Sequence, residues 1–101
     1  MVDARFGEPG VLILASLSGG VKHGYALIKD IEEIAGVTLG PGTLYGALGR
    51  LEERGLVEAL PVQDRRRPYR ITAAGAEVAR AYLRQVQRVA AVGLKRLEGY
   101  A

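Results

Sequence analysis

Hydrophobic residues fall in blocks of different period along the chain, and the periods predict the elements. Residues 9 to 17 (PGVLILASL) are apolar nearly all round, a pattern that periodicity alone leaves between helix and strand. Pro9 at a first-turn position and the Gly19-Gly20 stop favour a helix. A helix apolar on every side needs cover on every side, so Val11 and Leu14 are expected against a second subunit. Residues 23 to 35 set Leu27, Ile28, Ile31 and Ile34 on one side, with Lys29 and Glu33 a turn apart on the other. This predicts an amphipathic helix stopped by Gly36.

Residues 41 to 54 predict another short helix with both ends marked. Pro41 suits its first position and Gly55 the left-handed residue just beyond its end. Leu44, Ala47, Leu48 and Leu51 recur at helical spacing and face a core, while Gly42, Gly46, Gly49, Arg50 and Glu53 face outward. So bare a face suits close approach to another surface, nucleic acid first among them. The tight connection to the preceding helix makes the pair a helix-turn-helix candidate.

The period then switches to two. Residues 56 to 62 (LVEALPV) and 68 to 72 (PYRIT) predict two short strands around a basic tip, Arg65-Arg66-Arg67. Pro61 and Pro68 are expected at strand ends or edges, where a missing N–H does least harm. Thr72 is an N-cap candidate for a helix running from residue 73 to about 99. Along it Leu83, Val86, Ala90, Leu94 and Leu97 step by three or four, and Arg80, Arg84, Arg88, Lys95 and Arg96 take other faces. Such a helix reaches well beyond a small domain, so its apolar seam, including Tyr82, predicts a contact with a second copy. The alternative is a helix folded back on its own domain.

Composition narrows the function. A chain of 101 residues with 49% hydrophobic and 25% charged residues is one small globular unit, marginal enough alone for oligomerisation to be expected. Without cysteine it forms no disulfide and no thiolate centre. Neither a signal peptide nor a membrane-spanning run is read in it, so a cytoplasmic protein without membrane contact is expected. Residues 1 to 61 hold 5 Lys/Arg against 8 Asp/Glu, whereas residues 62 to 101 hold 9 against 3. Positive charge is thus concentrated in the basic tip between the two strands and in the last helix, compatible with phosphate binding or with a solvated face. His23 is the only histidine and has no companion at ligand spacing, so no metal, cofactor or hydrolytic centre is expected and an enzyme is rejected.

The order of elements is that of a winged helix, and the residues resemble the PadR-like transcriptional regulators. The resemblance spans about residues 11 to 76 and rests on HGYALIKDIEE (23 to 33), PGTLYGALGRLEERGLV (41 to 57) and YRITAAG (69 to 75). It implies a mainly α fold with a small β-hairpin, divided as a winged-helix DNA-binding domain over residues 1 to 72 and a C-terminal dimerisation helix over 73 to 101. It further implies a homodimer on palindromic operator DNA, usually a repressor. Gly46, Gly49, Gly40 and Pro68 depart from the family pattern, which favours Pro, a basic or bulky residue, a Ser or Thr cap and an aromatic residue there.

The expected DNA contacts are Thr43 and Tyr45, at the family's contacting positions, with Arg50, Gly42 and Gly46 on the same helix, Arg65, Arg66 and Arg67 in the wing, and Tyr69, His23 and Tyr25. His23 serves as a helix cap, a phosphate contact or a buried structural group, and Tyr25 contacts phosphate or wedges between helices. With three glycines on the outer face, specificity is expected to lean on DNA shape and on the arginine wing. A small aromatic effector is conceivable at the dimer interface beside Phe6, Tyr82 and Tyr100, although the chain lacks the tryptophan used by some relatives. The rival reading is a winged-helix module for protein contacts, because fold does not dictate function.

Overall fold

The computed structural model describes residues 7–100, with side chains from residue 9 onward. Its elements are α1 (Gly7–Leu17), β1 (Lys22–His23), α2 (Gly24–Ala35), α3 (Pro41–Glu53), β2 (Val57–Ala59), β3 (Pro68–Ile71) and α4 (Ala73–Glu98). The core is drawn from several elements at once: Ile13 and Leu17 of α1, Leu27 and Ile31 of α2, Leu44, Leu48 and Leu51 of α3, and Val57 of β2 are all buried.

The all-round apolarity of α1 has an intramolecular cause. This helix packs against α2, α3, α4 and β3, so the chain's own elements cover it on most sides. Leu14, expected at a partner, is only 2% exposed in the core of its own chain, whereas Val11 is half-buried. Ser16 is a buried polar residue on this helix. Its hydroxyl donates to Asp30 Oδ2 at 2.6 Å, and Lys22 Nζ donates to its carbonyl at 2.5 Å, joining α1, β1 and α2 in one polar knot.

In α2, Leu27 and Ile31 are buried as the spacing predicts, but Ile34 is 55% exposed. It lies in the last turn, where the helix has already run past the core. The end of α3 is a Schellman motif: Leu56 N–H donates to Leu51 C=O and Gly55 N–H to Glu52 C=O, both at 3.0 Å, with Gly55 at φ +73°. Buried Leu51 and Leu56 supply the hydrophobic contact that accompanies such a stop.

The hairpin is one part of a larger sheet. β3 is central in the antiparallel order β1-β3-β2, with Lys22 opposite Tyr69 and Val57 opposite Ile71. β1 was not expected, because two residues are too few to show alternation. Thr72 Oγ1 accepts from Gly75 N–H at 3.0 Å to cap α4, and donates to Gly55 C=O at 2.6 Å. Gly75 lets α4 begin tight against the preceding turn: a Cβ there would collide with the Leu56 carbonyl and with Ile71. Only Gly75 and Ala79 of α4 are buried, and the helix beyond Leu83 is exposed along almost its whole length. No helix among the described residues is long and apolar enough to cross a membrane.

Candidate nucleic-acid interface

The α3 helix meets the start of α2 through Tyr45 and Gly24, and the start of α2 meets the wing turn through His23 and Arg66. Beside them lies the open outer face of α3. Its inward residues Leu44, Ala47, Leu48 and Leu51 are buried, which turns Gly42, Thr43, Gly46 and Arg50 outward. Among the described residues, nothing beyond the helix's own adjacent backbone lies within 4 Å of where a Cβ would stand on Gly42 or Gly49. At Gly46 the nearest group is the Arg50 guanidinium, 3.6 Å from that position, so Arg50 lies back along the bare strip one turn toward the helix N-terminus. An exposed, fixed-charge donor therefore sits on a surface with no competing side-chain bulk.

Tyr45 is 51% exposed, and the seat of its phenol is Gly24, the first residue of α2: a Cβ on Gly24 would strike the tyrosine hydroxyl. The ring is thus anchored at one side while half its surface stays open. Tyr25 is 62% exposed and carries Lys29 Nζ 5.7 Å from its ring centroid, a cation–π contact on the surface. It does not wedge between helices.

His23 caps α2, its Nδ1 accepting from Ala26 N–H at 3.3 Å. Its Nε2 lies 3.1 Å from Arg66 Nη1. The wing turn itself is tight. Gln63 and Arg66 exchange two backbone hydrogen bonds of 2.8 Å, and Asp64 and Arg65 between them both have positive φ, +48° and +65°. This is the sign pattern of a type I′ hairpin turn, built here without glycine.

The three wing arginines do not act as one cluster. Arg66 turns toward His23, Arg67 donates to Leu60 C=O across the hairpin at 2.8 Å, and exposed Arg65 occupies the turn. Tyr69, expected to touch DNA, is half-buried in the central strand and packs on the core. Burial raises its phenol pKa above the usual 10.0; neighbouring Tyr45 and Glu52 add to the rise and Arg67 opposes it. The ring is partly buried, with Tyr45 among its neighbours.

Outside this face, Tyr82 borders an apolar groove between α1 and α4, together with Val11, Val78 and Leu83. The groove holds about 10 Å³, scarcely one water and far less than an aromatic ring. Tyr100 lies 18 residues farther along the chain, about 27 Å at helical rise, and is exposed. Within one chain these tyrosines therefore do not meet, and Phe6 lies outside the described residues.

The family model described as Transcriptional regulator PadR-like family matches residues 13–81. The chain belongs to the PadR-like transcriptional regulators. A PadR family transcription regulator from Clostridium difficile is similar in structure at 26% identity and a TM-score of 0.71, covering 87% of this chain and 99% of that one. A transcriptional regulator from Clostridium thermocellum is similar at 27% identity and a TM-score of 0.75, over 91% of this chain and 94% of that one. The uncharacterized 37.1 kDa protein in transposon TN4556 of Streptomyces fradiae is 46% identical over 74 residues, 73% of this chain. The chain spans 21% of that curated relative. The PadR-like match covers α2, α3, the wing and the start of α4, the elements that build the face described above.

Sequence reasoning left two parts of this PadR-like face unread. The seating of Tyr45 on Gly24 joins residues 21 positions apart, and neither shows a local signal of it. Lys22, which pairs with Asp30 of α2 at 3.8 Å and donates to the Ser16 carbonyl of α1, likewise has no local signal of that role.

Proposed function

We propose that this PadR-like regulator is a homodimer that binds palindromic duplex DNA, with α3 in the major groove and the wing on the adjoining backbone, and that it acts as a repressor. The observation that carries this reading is the unobstructed outer face of α3. Thr43, Tyr45 and Arg50 are exposed on it, and its glycines allow a close approach. Thr43 and Tyr45 offer hydroxyls to phosphate near a helix N-terminus, and Arg50 offers a guanidinium to a guanine edge or a phosphate. The dimer rests on the seam of α4, where Leu83, Val86, Leu94 and Leu97 are exposed despite being large and apolar. Apolar surface in this quantity on a projecting helix is stabilised by a partner helix. Release by a small molecule, if it occurs, requires a site completed by the second subunit, because the groove beside Tyr82 is too small alone.

Selection of duplexes from a random-sequence library by the purified protein tests the reading. A palindromic consensus with half-sites about one helical turn, roughly 34 Å, apart is expected. Recovery of no consensus, with weak and sequence-independent binding, would instead favour a winged helix devoted to protein contacts.

A further inference from the structure

His23 stands where two elements meet, and its hydrogen bonding is incomplete. A neutral imidazole has one N–H and one acceptor nitrogen, whereas a guanidinium only donates. If Nδ1 accepts from the Ala26 amide at 3.3 Å, Nε2 carries the proton and faces the Arg66 guanidinium at 3.1 Å, donor against donor. If Nε2 accepts from Arg66, the proton on Nδ1 opposes the Ala26 amide. Neither neutral tautomer serves both neighbours. An acceptor that approaches His23 Nε2 and Arg66 Nη1 together from the open cleft, as the two part slightly, removes the conflict and leaves the helix cap intact.

There is room for one. The imidazole and the guanidinium line an open cleft of about 560 Å³ between the start of α2 and the wing turn. Lys22 on the same wall is already engaged by Ser16 and Asp30, so His23, Arg66 and the neutral amide of Gln63 are the donors on the walls, with Arg66 carrying the charge. The cleft adjoins the α3 face, because Tyr45 rests on Gly24, the residue after His23. Asp64 is the opposing charge on the wall.

We propose, resting on the DNA-binding reading above, that His23 and Arg66 together clamp one backbone phosphate of duplex DNA. Arg66 supplies the charge and an N–H, His23 supplies the Nε2 N–H, and the two non-bridging oxygens accept. The wing arginine nearest α2 then fixes the position of the duplex instead of reading bases, and the DNA ties the wing to α2 through the phosphate.

The test uses the full chain and a duplex selected by the wild-type protein. His23→Asn retains a capping side chain but loses Nε2, and Arg66→Ala alters an exposed turn residue. Each is expected to weaken binding by about tenfold, equally on matched and mismatched duplexes, and Arg66→Ala should lower the salt slope by about one. The double variant should lose little more than the weaker single variant. Methylphosphonate scanning of the duplex should find one phosphate whose neutralisation weakens the wild type but neither variant. Asp64→Asn should bind more tightly. Additive losses, a loss confined to particular base pairs, or no phosphate with that signature would overturn the clamp while leaving DNA binding in place. Inorganic phosphate that shifts the His23 ring resonances at millimolar concentration, with no DNA effect in either variant, would show a free-anion site and overturn it as well. A wild type that binds no duplex overturns both readings.

Discussion

Glycine has opposite meanings at different positions in this chain. At Gly49 the place of a Cβ is open space, and at Gly75 it is filled by the Leu56 carbonyl. Gly49→Ala is therefore expected to stabilise α3 by about 1 kcal/mol, the ordinary helix-propensity difference. Gly75→Ala should cost about 3 kcal/mol or more through backbone collision, with both read from urea unfolding midpoints. If α3 docks closely on DNA, Gly49→Ala gains stability and loses affinity together. Tyr69 permits a prediction in pH. Its phenol pKa is raised in the folded chain, mainly by burial, so the unfolded chain releases this proton first. Its contribution to stability is full below the ordinary tyrosine value near 10 and declines as pH rises above it. Denaturation followed between pH 8 and 11 should show that decline, and Tyr69→Phe should flatten it.

Among the elements, the wing carries a conflict between stability and charge. A type I′ turn favours Asn-Gly, yet Asp64 and Arg65 occupy its two positive-φ positions. A non-glycine residue held there costs on the order of 1 kcal/mol. Arg65→Gly is accordingly expected to raise stability by about 0.5 to 1 kcal/mol in thermal unfolding. On the DNA-binding reading it also reduces the salt slope of duplex binding by about one, because a phosphate-facing charge is gone. A variant that is more stable and binds DNA unchanged would remove Arg65 from the interface. The turn is otherwise well supported, with Arg67 donating to Leu60 C=O and Arg70 pairing with Glu58 at 2.8 Å beneath it.

For the whole molecule the decisive feature is the mismatch between a compact core and a 26-residue α4 that extends beyond it. Leu94 and Val89, each 66% exposed, lie where no other described element covers them. In the proposed dimer, Leu94→Glu places a charge in the seam and is expected to yield monomers in sedimentation equilibrium. The winged-helix core should keep its fold, because Leu94 touches none of it, and duplex affinity should fall steeply as two linked half-sites become one. A Leu94→Glu protein that sediments as a dimer would place the interface elsewhere.

Much of the architecture was legible in residue order because its signals are local. Pro41 and Gly55 bracket α3, Thr72 caps α4, and the spacing of Leu44, Ala47, Leu48 and Leu51 sets the inward side of α3. The motifs 23 to 33, 41 to 57 and 69 to 75 likewise carried the family. Contacts between distant segments were not legible. Burial of Leu14 inside its own chain depends on α2, α3 and α4 closing around α1, and Tyr69 is half-buried because β3 is the middle strand. The arginine triplet is contiguous in sequence, but the turn sends Arg66 to His23 and Arg67 to Leu60. Periodicity and capping are properties of neighbours within one turn or one strand, so the amino-acid order alone determined the four helices and the two hairpin strands, and which side of α2 and α3 is apolar, but not the two-residue β1. Which apolar side meets which, and where each polar tip ends up, is decided by packing across the chain, and only the tertiary structure could bring His23, Tyr45 and Arg66 to one face.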